Sequence, residues 1–255
     1  MTNEENKTGG IIMSSLREDI EEFMGVPYDE VVKDVVNAKD NTEYRRKLWE
    51  GMFPKEVTKE NIWDYYRSDQ YVAFLFWHAV QKQNEPVMPQ ILANVLDMYI
   101  SQPRILDFGC GNGMIALGLK NMGFEDITLA DIPHRYNKFL KFISDKYKLG
   151  FKFVPVETWN EYPLERKYDV IICNEVLEHV REPEVTLLHL TEHLEQLGYL
   201  YLSTFFNDMN GHDPSHLVKN KVYQDVDKWF GIVEGMGLKK AFQDENGVWK
   251  IWQKI

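Results

Sequence analysis

The sequence predicts an α/β protein: a mostly parallel sheet with helices on both faces, a C-terminal antiparallel hairpin at its edge, and a helical cap ahead of it. Three observations predict this. From Arg104 onward short β-rich runs alternate with helical stretches, the pattern of parallel strands joined by crossover helices. The first of these runs ends in Gly109-Cys110-Gly111-Asn112-Gly113, a glycine-rich link into a helix. Near the C-terminus two runs flank Asn246-Gly247, the dipeptide that best tolerates the positive φ angles of a two-residue hairpin turn.

Residues 1–14 are polar and read as a disordered start. Ser15-Leu16-Arg17-Glu18 has the form of a capping box, and Ile20, Phe23 and Met24 recur behind it at helical spacing. Val31, Val32, Val35 and Val36 continue as a second helix from Pro27 to about Trp49, broken before Gly51 and Pro54. Thr58 is placed to cap the next helix. Large apolar side chains crowd residues 71–99, which divide into two helices near Asn84-Glu85-Pro86. The expected division is thus a disordered N-terminus over 1–14, a helical cap over 15–100 and an α/β domain over 101–255.

The expected strands are Arg104–Phe108, Asp126–Ala130, Lys152–Pro155, Val170–Cys173, Tyr199–Thr204, Leu238–Asp244 and Val248–Lys254, the last two forming the hairpin. Leu187, Leu188, Leu190, Leu194 and Leu197 mark an amphipathic helix packing on the sheet. Within it His189-Leu190-Thr191-Glu192-His193 matches an inverted zinc-protease pattern only formally, and the leucine spacing makes it a decoy.

Composition narrows the function classes. A formal charge of -11 sets up a repulsive field for nucleic acid and disfavours such a partner. Lys138, Lys141, Lys146 and Lys148 are spaced for the wet face of a helix. No run reaches the roughly 20 apolar residues of a membrane helix. The polar, acidic start lacks the basic flank and apolar run of a secretion signal. Cys110 and Cys173 form no paired framework and read as reduced, apolar filler. A cytoplasmic location follows from these readings, while the oligomeric state leaves no trace in the sequence.

Glycines at 109, 111 and 113 let the backbone turn sharply and approach a ligand at the following helix N-terminus. A dinucleotide fingerprint requires its third glycine at position 114, which is Met, so pyrophosphate binding is disfavoured. Asp107 just before the loop would repel a phosphate but can pair with the ammonium of a methionine moiety. Asp131 ends the second strand, where an acidic side chain accepts hydrogen bonds from both ribose hydroxyls; a helix cap or turn role is the alternative.

Together, Ile105-Leu106-Asp107-Phe108-Gly109-Cys110-Gly111-Asn112-Gly113, Leu129-Ala130-Asp131 and the run from Tyr168 to Val180 resemble the class I S-adenosylmethionine-dependent methyltransferases, especially the ubiquinone-biosynthesis O-methyltransferase-like subgroup. The resemblance covers Arg104 to Ile255 and implies a Rossmann-like sheet. It implies that Asp107 and the backbone of Gly109, Cys110, Gly111, Asn112 and Gly113 hold the methionine part, that Asp131 holds the ribose and that Ile132 packs on the adenine. Glu157 and Thr158 fall where the family contacts the adenine amino group. Asn174, Glu175 and Val176 should line the cofactor beside its methyl group.

Methyl transfer is an in-line displacement that needs alignment, exclusion of water and removal of a proton, without a covalent nucleophile. Glu178 and His179 follow the fourth strand and His216 follows the fifth on the same edge, so His179, His216 and Glu178 are the catalytic candidates. A second reading joins Glu175, Glu178, His179 and a later histidine, His212 or His216, into a divalent-metal site, since Glu175-Val176-Leu177-Glu178-His179 resembles the motif of small-RNA 2′-O-methyltransferases. The sequence commits to no metal, and the same acidic pair can simply orient a helix. Tyr71, Phe74, Trp77 and His78 share about one helical face, either as core or as an acceptor pocket into which His78 or Tyr71 reaches.

The resulting expectation is transfer of a methyl group from S-adenosylmethionine, leaving S-adenosylhomocysteine, to an oxygen or nitrogen of a small molecule selected by the cap. The alternatives are a metal-assisted methyltransferase of RNA or another polymer, and a catalytically idle cofactor-binding sensor or scaffold subunit.

Overall fold

The computed structural model describes residues 16–38, 40–52, 62–83, 92, 96, 102–157, 163–204, 225–243 and 249–255. The chain divides into two compact units: one of Met1–Val87, Gly111–Glu125 and Ile132–Phe151, the other of Met88–Cys110, Asp126–Asp131 and Lys152–Ile255.

The first unit is helical. Helix α1 (Leu16–Met24) turns Leu16 and Ile20 inward, both fully buried, while Ser15, the expected cap, lies outside the described residues. The single helix expected over 27–49 is instead three: α2 (Tyr28–Val31), α3 (Lys33–Val36) and α4 (Asn41–Met52). The break falls at Val32, whose φ of -103° and ψ of 5° leave the helical region while its side chain stays buried with that of Val35. Adjacent β-branched valines restrict one another's rotamers, so burial of this pair outweighs the weak helix propensity of the run. Helix α5 (Ile62–Arg67) leads into α6 (Asp69–Lys82), which Ser68 caps by accepting the Tyr71 N–H at 3.1 Å.

The later segments of this unit supply α7 (Met114–Asn121) and α8 (Arg135–Tyr147). At the start of α8, His134 Nδ1 accepts the Asn137 N–H and the Asn137 side chain accepts the His134 N–H, a reciprocal cap. An aromatic cluster ties α1, α6 and α8 together: Phe76 lies 4.8 Å from Tyr136 and 5.1 Å from Phe139, and Phe23 meets Phe139 edge-on at 5.5 Å. Lys138, Lys141, Lys146 and Lys148 are exposed, as their spacing predicts, and Lys146 pairs with Asp19 and Glu22.

The second unit carries a seven-stranded sheet: β1 (Ile105–Phe108), β2 (Ile127–Asp131), β3 (Lys152–Pro155), β4 (Tyr168–Asn174), β5 (Leu194–Ser203), β6 (Leu238–Gln243) and β7 (Trp249–Lys254). Their spatial order is β3-β2-β1-β4-β5-β7-β6. The first five pair in parallel, and β7 runs antiparallel to both β5 and β6. Val170, Ile171, Ile172 and Cys173 are all fully buried, the continuous apolar run of a strand covered on both faces. At the amino edge the Arg104 guanidinium forks onto Asp169 and reaches Glu195.

Helix α9 (Pro183–Glu192) ends earlier than the leucine pattern predicts, and Leu194 already opens β5. Leu197, with φ 65°, lies where β5 shifts register against Tyr168 and Val170 and is exposed, as is Leu188 on α9, while Leu187, Leu190 and Leu194 are buried. The shift carries the chain into pairing of Tyr199 with Val170, and sheet hydrogen bonds override the helical period. The His193 ring Nδ1 donates to the His189 carbonyl oxygen at 2.9 Å, the contact of a helix C-terminus. Helix α10 (Val226–Gly235), capped by Asp225, precedes the hairpin strands. Residues 1–14, Thr58, Asn84-Glu85-Pro86 and the Asn246-Gly247 turn lie outside the described residues.

Candidate functional site

Strand β1 pairs with β2 on one side and β4 on the other, so the chain order reverses at β1. At such a reversal the loops leaving neighbouring carboxyl ends part in opposite directions, and a crevice opens beyond the strands. Phe108 pairs in register with Ala130 and Cys173, so Gly109, Asp131 and Asn174 stand side by side at this edge. The sheet unit therefore gathers Asp107, Gly109, Cys110, Asp131, Asn174, Glu175, Val176, Glu178 and His179 at one end.

Asp107 is the polar exception in a strand that is otherwise Ile, Leu and Phe, and it is 2 % exposed. Its Oδ2 receives no hydrogen bond from any described residue. Burial first, and then the charge of Asp131, push its carboxyl group up to about 7. A buried carboxylate oxygen of this kind is costly unless a cation or donor reaches it. A primary ammonium of a ligand meets that requirement.

Beyond Asp107 the backbone takes positive φ at Gly109, Gly111 and Gly113. A Cβ at Gly109 would lie 2.3 Å from Val176 Cγ2, and one at Gly113 would lie 2.6 Å from Leu140 Cδ2. Both positions thus require glycine for two reasons, conformation and space. The Gly109 N–H donates to the Ala130 carbonyl at 2.7 Å, holding the loop's entry against β2. Cys110 is buried, its thiol pushed well up, first by burial and next by Asp131 and Asp107, and it donates a hydrogen bond to Asp131. This thiol is protonated, an anchor rather than a nucleophile.

In the helical unit, Gly113 stands as the N-cap of α7 with no side-chain capping bond of its own. Asn112 does that work instead: its Oδ1 accepts the Met114 N–H at 3.3 Å while its Nδ2 lies 3.0 Å from His78 Nδ1. Ile132 is half-buried here. In the sheet unit, Asp131 is half-buried and its carbonyl accepts the Val156 N–H, while Glu157 after β3 is exposed. Thr158 lies outside the described residues.

At the end of β4 the Tyr201 hydroxyl donates to Asn174 Oδ1 at 3.5 Å, and the Glu175 N–H donates to the Ser203 carbonyl. Glu175 is exposed with φ 53° and turns the chain into a 3-10 segment, Leu177–His179. Glu178 is 1 % exposed and turns inward, and the fully buried Cys173 thiol is raised first by burial and next by the charge of Glu178; His179 is half-buried. Among the described residues no three His, Cys, Asp or Glu side chains are grouped as metal ligands. His212 and His216 lie outside the described residues.

The sequence reading overlooked Tyr201 and, for Val176, the contact it makes. Tyr201 orients Asn174, which the register of β4 on β5 alone could reveal. Val176 fills the space under Gly109. His78, read as core or an acceptor group, is half-buried, stacks on Phe74 and hydrogen bonds the loop residue Asn112.

A family model described as a methyltransferase domain matches residues 76–246. The match begins inside α6, ahead of the resemblance legible in the sequence. The ubiquinone biosynthesis O-methyltransferase of Rickettsia typhi is 34% identical over 105 residues, 41% of this chain and 42% of the relative. That of Rickettsia prowazekii is 33% identical over 120 residues, 47% of this chain and 46% of the relative. The chain thus matches less than half the length of these curated relatives.

Among solved structures, an O-methyltransferase family protein from Burkholderia thailandensis superposes with a TM-score of 0.56 at 12% identity, over 87% of this chain and 74% of that one. A 1,6-didemethyltoxoflavin-N1-methyltransferase from the same organism, with 1,6-didemethyltoxoflavin and S-adenosylhomocysteine bound, gives 0.54 at 15% identity over 78% and 92%. At these identities the likeness is one of fold, the Rossmann-like sheet with its reversed last strand.

Proposed function

Since the chain belongs to the methyltransferase domain family, we propose that it transfers a methyl group from S-adenosylmethionine to an oxygen or nitrogen of a small molecule. The observation that carries this is Asp107: a buried carboxylate with an oxygen that no described residue fills, at the reversal point of the sheet, directly ahead of a three-glycine loop. When bound, S-adenosylmethionine supplies a sulfonium methyl group open to in-line displacement.

Asp107 receives the ligand's ammonium, and the glycine backbone from 109 to 113 admits the methionine chain without a Cβ in the way. Asp131 accepts the ribose hydroxyls, and its link to the Cys110 thiol holds it in place. Ile132 packs on the adenine, and Glu157 with its sequence neighbour Thr158 meets the adenine amino group. Asn174, Glu175 and Val176 bound the methyl end, where the Tyr201 hydroxyl orients Asn174. Proton removal from the acceptor falls to His179 or His216, with Glu178 positioning. The N-terminal helices select the acceptor and exclude water.

A small-molecule acceptor is favoured over RNA by the charge of -11 and by the names of the curated relatives. Two measurements test the proposal together. Calorimetry should show S-adenosylhomocysteine binding to the parent chain and binding weakened at least about tenfold in Asp107→Ala, the loss of one charge-assisted bond. Methyl transfer from labelled S-adenosylmethionine should then proceed on small phenols or amines after exhaustive chelation. No cofactor binding would end the reading, and metal-dependent turnover of RNA alone would replace it.

A further inference from the structure

We infer that His78 is a positioning residue for the cofactor loop, acting through Asn112; the inference rests on the cofactor reading above and extends it into the helical unit. The carboxamide of Asn112 is held at both ends. Its oxygen accepts the Met114 N–H at 3.3 Å, which decides which end of the group is oxygen, because a backbone N–H can only donate. Its Nδ2 therefore points at His78 and donates to Nδ1 at 3.0 Å.

An imidazole nitrogen that accepts a hydrogen bond carries no proton, so His78 is neutral and bears its hydrogen on Nε2. The ring is fixed in turn by stacking on Phe74, with centroids 5.8 Å apart and planes inclined by 19°. Helix α6 is anchored by the buried side chains of Val72, Phe74, Leu75, Phe76 and Ala79.

The consequence lies at the first turn of α7. Gly113 has no side chain to cap the helix, and Asn112 satisfies the Met114 N–H in its place. Gly111 and Gly113, on either side, both sit at positive φ, and this carboxamide ties the peptide between them to the first turn of α7. His78 stops the Asn112 side chain from rotating and keeps the loop's N–H groups aimed in one direction. The cap helix thereby sets cofactor affinity without touching the cofactor.

The test compares three chains by calorimetry with S-adenosylhomocysteine and by kinetics at varied S-adenosylmethionine. His78→Phe keeps the ring and its stacking but removes the acceptor. It should weaken S-adenosylhomocysteine binding and raise KM for the donor about five- to tenfold, with kcat changed less than about twofold. His78→Gln returns an acceptor oxygen to the same neighbourhood and should recover most of the loss. In an Asn112→Ala background His78→Phe should have no further effect.

Unchanged affinity in His78→Phe, or an equal loss on top of Asn112→Ala, overturns the role of His78 while leaving the cofactor reading intact. Failure of the parent chain to bind S-adenosylhomocysteine overturns the cofactor reading instead. Should His78→Phe not fold, the imidazole nitrogen shifts of the parent chain decide by nuclear magnetic resonance: an Nε2–H tautomer is required, and an Nδ1–H tautomer overturns the inference.

Discussion

Asp107 is held in a protonation balance that its neighbours and, in the function proposed above, a bound ammonium pull in opposite directions. Burial and the charge of Asp131 raise its carboxyl group from 3.8 to about 7, so the folded chain binds a proton that the unfolded chain has released. This group's contribution therefore favours the folded state less and less as pH rises from about 4 to about 7. Asp107→Asn should remove that slope, visible as a urea midpoint that varies less with pH across the window than in the parent chain. An arriving ammonium favours the ionised form, so cofactor binding should release a proton near pH 6.5. Binding heats measured in buffers of different ionisation enthalpy would differ if this holds and coincide if it does not.

At the scale of elements, the turn from β1 into α7 depends on Gly109 and Gly113 for both dihedral and space. Gly109→Ala places a Cβ 2.3 Å from Val176 Cγ2 at a φ of 70°. It should cost about 1–3 kcal/mol of stability in a urea titration, from left-handed strain and crowding together. Adding Val176→Ala opens the crowded space but leaves the dihedral cost, so only part of the loss should return. Full recovery would show that sterics alone demanded glycine. The same element logic explains the split of the second helix at Val32 and the early end of α9 at Glu192: burial and strand pairing, both non-local, outweighed the periodicity that proposed longer helices.

Across the whole molecule, charged pairs at the amino edge oppose the pH behaviour of Asp107. Arg166, assisted by Lys152, holds the Asp126 carboxyl well below the usual range, and Arg104 lowers that of Asp169. Their stabilisation is present above about pH 4 and is lost as pH falls through their lowered values. Asp126→Asn should accordingly lessen the loss of stability on acidification, followed by circular dichroism below pH 4. The helical unit makes a separate demand. Phe139 and Tyr136 of α8 pack on Phe23 and Phe76 from α1 and α6, so a fragment beginning at residue 101 leaves α8 with its aromatic face bare. Such a fragment should be proteolysed rapidly where the full chain resists; equal resistance would show that the aromatic cluster is dispensable.

What the sequence determined by itself was local or periodic. The strands β1 to β4, the later half of β5 and the hairpin strands are legible because apolar alternation and turn glycines act over a few neighbours. Asp107, Asp131 and the glycine loop are legible because a carboxylate inside an apolar strand and glycines at close spacing are anomalies in one dimension. Only the tertiary structure decided that Glu178 turns inward while Glu175 faces solvent, that Tyr201 orients Asn174, and that His78 serves Asn112. Each of these depends on strand register or on contacts between residues 27 and 34 positions apart. Sequence patterns record which residues an element must bury, and packing chooses the partners those residues meet.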